Sequence, residues 1–511
     1  MIALALPLAR FLFGALAIAV GRGQRLFLAL SAVVDATLLA GLCNVLRGGT
    51  CVVTFGGWGG YYGITFSIDL ISVAFVALAL ALSVAVTLYT WRDAFRPSWA
   101  MLVHLLVGAC YALAFTQDLF NAYVLLELVT LAAFLLVATD RRPRQIWASL
   151  RYLIFSSFAL NIFLFGAAVA YTHVHSLNLG AIAAAVTRSP DAPWVRLAAA
   201  LLFTGAAVKA GVFVFSLWLP LAHSQAPPAV SALLSGLVVK MGVVVLYRLS
   251  IAFPVRAPLV ALGGLTAILG IIYAAWSLDA KRMLAFHTLS QIGYVLIGFG
   301  AGSDAARFGA LDYAVAHGLF KALLFLAVGE AAAIAGSSRL ECLVAERARL
   351  PRGTRVALII GMLGIVGLPP FAGFAAKSVL ESGIPSIPLR VLFFVVSAGT
   401  ALSFAKLWPL VHGRSAARTT APHAVAYGLL GTTVVLFLPI SRVMEPASVW
   451  AATLHAPAYV EALTAFAVGT AAYAWTRRVT PRLPERLFRL EEGFLILLGG
   501  FFLIYLLVGG G

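Results

Sequence analysis

Apolar runs about 20 residues long follow one another from end to end of this sequence, and no hydrophilic stretch between them is large enough for a soluble domain. A run of about 20 residues crosses a hydrocarbon core of about 30 Å as a helix. The pattern predicts sixteen spans, at 2–20, 26–46, 64–90, 99–115, 119–138, 149–171, 196–219, 229–252, 257–276, 283–301, 308–334, 355–384, 388–411, 423–441, 459–476 and 490–508. Charged residues make up 11% of the chain, against about 25% in soluble domains. The expected fold is an all-α polytopic membrane protein of 14 to 16 helices, embedded in a lipid bilayer. The first span carries Arg10 and lacks a basic leader, so it reads as a retained helix.

A net charge of +17 would suit nucleic acid, but the basic residues follow the topology instead. Counted from the N-terminus, odd connections hold twenty-two of them, among them Arg92, Arg142, Lys281 and Arg339, and even connections hold eight. The asymmetry predicts odd connections in the cytoplasm, an outside N-terminus, and no nucleic-acid partner. Cys43, Cys51, Cys110 and Cys342 form no CxxC pair and no metal-ligand spacing, and there is no P-loop, GxGxxG or haem signature. No metal, cofactor or catalytic site is expected in the chain itself.

Once the connections, their flanks and Arg10 are set aside, five basic residues remain within the spans, and all are lysines: Lys209, Lys240, Lys321, Lys377 and Lys406. A cation at the bilayer centre costs about 2.5 to 3.5 kcal/mol on insertion scales. Arginine stays protonated in proteins, whereas a desolvated lysine can lose its proton near neutral pH. The spans therefore use the cation that can load and release a proton. Lys406, in "ALSFAKLWPL", fits static packing equally well.

Glu127, in "DLFNAYVLLELVTLAAF", is the natural intramembrane counter-charge; Asp69 in "FSIDLIS" reads equally as an interhelical hydrogen bond, and Asp35 as structural. His317 and Lys321 share one helix face at i, i+4. His223 and His287 lie toward the cytoplasmic ends of their spans, where they could take up protons. Pro220 ends one lysine-bearing span and "LPPFAGFAAK" interrupts another. Such breaks persist at membrane depth only against protein or a water-filled cavity, and a matching pair in two halves is a sign of inverted repeats.

"DLFNAYVLLE", "VKAGVFVFSLWLPLAHSQAPPAVSALLSGLVVKMG", "KRMLAFHTLSQIGY", "HGLFKALLFL" and "GLPPFAGFAAKSVL", in that order, resemble the proton-translocating antiporter-like membrane subunits of respiratory complex I, Mrp-type cation/proton antiporters and group 4 membrane-bound hydrogenases. "GGWGGYYGITFSIDLIS" resembles the D-type member of the Mrp antiporters. The resemblance covers residues 55–412 and departs from the family at Leu221, where a charged residue is frequent.

What the resemblance implies is a helical core with two inverted five-helix repeats, broken helices 7 and 12, and a proton path through Glu127, Lys209, Lys240, His317, Lys321 and Lys377, with Glu127 and Lys209 as a pair. Asp69, His223, His287 and Lys406 are accessory candidates. The expected divisions are residues 1–98 for helices 1–3, 99–252 and 257–412 for the repeats, and 413–511 for C-terminal helices available to dock a neighbouring subunit. The expected function is that of a proton-translocating subunit in a multisubunit complex of a bacterial or archaeal cytoplasmic membrane. Its partners would be other membrane subunits and protons. Open alternatives are Na+/H+ exchange, a redox-driven translocase, a partner for inorganic-carbon uptake, and a non-transporting scaffold.

Overall fold

The structure is a computed structural model that describes every residue except 1, 93–95, 217, 414–416, 439–454, 477–489 and 509–511. The expected basic positions Arg414, Arg442, Arg477, Arg478, Arg482, Arg486 and Arg489 lie outside the described residues.

The chain opens with α1 (Ile2–Val20) and α2 (Gln24–Arg47), followed by a hairpin of β1 (Cys51–Thr54) and β2 (Thr65–Ile68) in which Cys51 faces Ile68. Next come α3 (Leu70–Tyr89), α4 (Pro97–Phe115), α5 (Leu119–Val137), α6 (Pro143–Val174), the short α7 (Leu179–Arg188) and α8 (Pro193–Ala210). After a 3-10 turn at Phe213–Phe215 lies α9 (Trp218–Gln225). α10 (Pro228–Leu233), a π turn at Leu234–Val238 and α11 (Val239–Ala252) form one continuous rod. It is succeeded by α12 (Arg256–Trp276), α13 (Ala280–Gly300), α14 (Asp304–Ala335), α15 (Leu340–Ala345), α16 (Arg352–Val366), α17 (Ala372–Ser382), α18 (Ile387–Ala405) and α19 (Trp408–Val411). The described chain ends with α20 (Ala421–Val435), α21 (Ala456–Thr476) and α22 (Leu490–Val508).

Among the described residues, 11 helices are long and apolar enough to cross a membrane. The other five expected spans are the split pairs α8/α9 and α16/α17 and the helices α20, α21 and α22. The expected span at 64–90 starts too early. Residues 65–68 pair as a strand, and the Asp69 side chain accepts from the Ser72 N–H at 2.8 Å, which fixes the helix start one residue later.

Two stretches of the chain repeat, at one constant sequence offset as far as α6 and α14. Asp118 and Asp279 cap α5 and α13 by accepting from backbone N–H groups three residues on, and bridge to Asn178 and Arg339 respectively. The flanking bonds match: Leu119 N–H to Leu177 O and Leu179 N–H to Gln117 O, at 2.9 and 2.8 Å, reappear as Ala280 to Ser338 and Leu340 to Leu278. α6 and α14, both 32 residues long, occupy equivalent places. Each set then has a helix ended by a left-handed glycine, Gly211 at φ 81° and Gly367 at φ 83°, a conformation that strains any side-chain-bearing residue. The α10–α11 rod and α13 are buried along their whole apolar windows and form the centre around which the other helices stand.

Candidate functional site

At the first break α8 loses its regular ladder, and its last carbonyls find other donors. Ser216 Oγ and Trp218 Nε1 both donate to Val208 O, at 3.0 and 3.2 Å, and the Phe213 N–H donates to Thr266 at 3.2 Å. This satisfies backbone that lipid could not. Lys209 lies two residues before the turn, fully buried, and donates from Nζ to Thr130 Oγ1 at 2.8 Å and to Tyr152 OH at 2.9 Å. Glu127 is half-buried one turn before Thr130 and accepts from Ser157 at 3.3 Å. Among the described residues no ion pair joins Glu127 to Lys209. Instead Lys209 is held by neutral hydroxyls, Nζ lying 4.8 Å from the Tyr152 ring centroid.

At the centre the π turn shifts the backbone bonding by one residue, so that the Val239 N–H donates to Leu234 O. The Ser235 carbonyl accepts from Lys240 Nζ at 2.6 Å. Single-turn π bulges of this kind concentrate at functional sites. The same Nζ lies 2.9 Å from Nδ1 of His317 on α14. Ser235 Oγ meets Thr288 Oγ1 at 2.8 Å, Thr288 donates to Leu284 O at 3.2 Å, and Lys321 donates to that same carbonyl. Lys240, His317 and Lys321 thus come together around one set of hydroxyls and carbonyls, all three fully buried. Gly242, where a Cβ would fall 2.2 Å from Ala210 N, lets α11 press against α8 at Lys209.

Beyond His317 the polar groups continue toward the second break. Tyr313, stacked on His317 at 6.4 Å, donates to Gln291, and Gln291 donates to Thr400 at 3.3 Å. Tyr294, edge-on to Tyr313 at 5.8 Å, meets Ser397 Oγ at 3.1 Å, and Lys377 donates to that hydroxyl. Lys377 also pairs with Glu381 one turn further along α17, at 3.2 Å. Sequence reading missed Glu381, although its i, i+4 spacing from Lys377 was visible.

The accessory candidates divide. Asp69 caps α3 and pairs with Arg248 at 3.2 Å, away from the lysines. Lys406 donates to the Ala274, Ala275 and Ser277 carbonyls at 3.0, 2.9 and 2.8 Å, a cation closing the C-terminus of α12. His223 is fully buried with its ring stacked 4.4 Å from Phe325, over which Lys321 Nζ also lies. His287, equally buried, packs 4.6 Å from Phe404. A cavity of about 2610 Å³ opens among the odd connections and is lined by Arg142, Gln225, Lys281, Arg339 and Lys406.

Two further clusters join residues far apart in the chain, so the sequence showed Arg10 and Asp35 singly but not the contacts between members. Arg10 Nε donates to Asp35 at 2.6 Å, Tyr111 donates to the same oxygen at 2.7 Å, and His104 Nδ1 lies 3.4 Å from Arg10. Glu330 accepts from Thr354 at 2.5 Å and Tyr427 at 2.6 Å, and pairs with His423 at 3.0 Å.

A family profile described as NADH:quinone oxidoreductase/Mrp antiporter, transmembrane, matches residues 116–403. The chain is 33% identical over 341 residues to NADH-quinone oxidoreductase subunit N of Desulforudis audaxviator, covering 64% of this chain and 68% of that one. It is 28% identical over 351 residues to the D-type subunit of the Na(+)/H(+) antiporter of Alkalihalophilus pseudofirmus, covering 66% and 70%. Among solved structures, a chain of the membrane-bound sulfane sulfur reductase, an archaeal respiratory membrane complex, superposes with a TM-score of 0.78 at 22% identity, covering 93% of this chain and 98% of that one. A chain of the Mrp complex from Dietzia sp. superposes with the same TM-score of 0.78 at 24% identity, covering 96% of this chain and 57% of that one.

Proposed function

This chain belongs to the NADH:quinone oxidoreductase/Mrp antiporter family, and from that premise we propose that it translocates protons as one membrane subunit of a larger assembly. It is a multi-pass membrane protein of a bacterial-type antiporter family. The contact between Lys240 and His317, 2.9 Å apart in a fully buried centre, carries the reading. Two groups that can each hold a proton share one hydrogen bond, and like charges in contact disfavour each other. One site therefore fills as the other empties.

In this reading the proton line runs from Glu127 and Lys209, through Lys240, His317 and Lys321, to Lys377 and Glu381, and the Tyr313, Tyr294 and Ser397 hydroxyls carry its second half. The matched caps, bridges and glycine breaks support two five-helix repeats over 99–252 and 257–412. An odd number of helices gives them opposite orientations. The cavity among the basic connections is the cytoplasmic mouth, with the N-terminus outside a bacterial or archaeal cytoplasmic membrane. Na+/H+ exchange, and coupling to a redox partner or to inorganic-carbon uptake, are separated by the proteins that co-purify with it.

The test is Lys240→Arg in the assembled complex, with proton uptake followed in inverted membrane vesicles. Arginine keeps the charge and removes accessible deprotonation. Uptake should fall by about tenfold or more, a barrier of at least about 1.4 kcal/mol. Near wild-type uptake at matched assembly would remove proton release by Lys240 and favour a scaffold.

A further inference from the structure

Both helix breaks lie beside a lysine, and each is packed against one of the two C-terminal helices. α22 lies over α8, the Phe213–Phe215 turn and α12. Its Gly500 leaves the only room for the buried Phe215 ring, since a Cβ there would fall 2.0 Å from Cε1 and 2.2 Å from Cζ. Phe494, earlier on the same helix, packs against Phe158 at 4.8 Å and Phe155 at 6.0 Å on α6, the helix that supplies Tyr152. α21 treats the second break alike. It runs along α18, where a Cβ on Gly469 would fall 2.1 Å from Ala398 O, and its Tyr459 ring lies 4.7 Å from Phe374 on α17.

A break has no continuous i→i−4 ladder to hold its direction, so packing must supply what the ladder does not. At the first break that packing comes from α12, through Thr266 and Tyr273, and from α22, whose approach to the Phe215 ring at Gly500 leaves no space for a Cβ. We propose that Phe215 and Gly500 are positioning residues, through which α22 braces the first break and holds Lys209 against Thr130 and Tyr152, while α21 braces the second. This rests on the proton-translocation reading of Lys209. It assigns the C-terminal helices a task within their own chain, where the sequence had suggested the docking of a neighbouring subunit.

The experiment compares Gly500→Ala, Phe215→Ala, the double variant and Lys209→Met in the assembled complex, with Leu498→Ala, which changes an exposed position of α22, as control. Proton uptake in inverted vesicles is measured across a range of pH, beside the amount of assembled complex. Misplacing a reacting group by about 1 Å can cost about 100-fold, and Gly500→Ala should lower uptake by about tenfold and shift its pH profile. Phe215→Ala removes the same contact and should lower uptake and shift the profile alike, the double variant should lose little more than either single one because both act on one contact, and Leu498→Ala should change neither. If Gly500→Ala instead prevents assembly, recovery of assembly in the double variant supports the brace, and failure to recover overturns it. Wild-type rate and pH profile in Gly500→Ala overturn the brace while leaving the translocation reading intact, provided Lys209→Met has lost uptake. Full uptake by Lys209→Met overturns the translocation reading itself.

Discussion

The two breaks share a backbone plan and differ in charge. At the first, Gly211 ends α8 and Lys209 donates to the hydroxyls of Thr130 and Tyr152, while Glu127 stands apart on α5, bonded to Ser157. At the second, Gly367 ends α16 and Lys377 touches Glu381 on the same helix. A lysine held by neutral hydroxyls strands no opposite charge if it moves away, whereas one paired with a carboxylate does. The shared backbone plan thus does not carry the same partners: in the proposed path the first break holds a lysine among hydroxyls, and the second a lysine–glutamate pair.

The largest expected difference lies in stability. Lys377→Met leaves Glu381 buried without its counter-charge, and breaking such a pair costs about 3 to 5 kcal/mol. Lys209→Met takes one donor from each of two neutral hydroxyls, of which Thr130 keeps its bond to Leu126 O at 2.7 Å, a loss of about 1 kcal/mol each. Thermal unfolding of the purified complex in detergent should rank Lys377→Met well below Lys209→Met, and equal losses would break the contrast. If Glu381→Gln in the Lys377→Met chain recovers part of the loss, the deficit belongs to the stranded carboxylate.

A smaller effect sharpens the first site. Tyr152→Phe removes one of two donor contacts of a buried ammonium and should cost about 1.5 kcal/mol. It should also shift the pH profile of uptake, because fewer groups then hold the charged form. An unchanged profile would show that Tyr152 only packs. The smallest effect belongs to Lys406, whose three carbonyl partners need a cation but no proton release. Lys406→Arg should stay within about 0.5 kcal/mol in stability and near wild type in uptake, in contrast to Lys240→Arg.

The long helices and the second break were legible because lipid leaves few alternatives: an apolar run must form a helix, and a proline or glycine interrupts it only where protein lines the gap. The first break was expected at Pro220 and falls earlier, at Gly211; Pro220 lies in the first turn of α9, where a helix has no use for the missing N–H. Lys240, His317 and Lys321 were legible for a related reason, since an ionisable residue in a span is costly enough to be conspicuous. The partners of the lysines were hidden. Thr130 and Thr288 bond the carbonyls four residues back like ordinary helix residues, and only the crossing of helices also sets Thr130 and Tyr152 against Lys209 and Thr288 against Ser235. β2 was absorbed into the expected third span because "TFSI" carries no charge and runs straight into an apolar helix.

The buried Arg10–Asp35 pair bears on how the chain is made. Arg10 is synthesised before its partners, on an apolar helix that carries it near the middle. Its counter-charge lies on the next helix, and Tyr111, which shares the Asp35 oxygen, arrives only with α4. A lone α1 is therefore a poor passenger for the insertion machinery, and α1 with α2 a much better one. α1 and α2 should leave the translocon together, as a hairpin neutralised from within, and the docking of α4 through Tyr111 should wait on that handover.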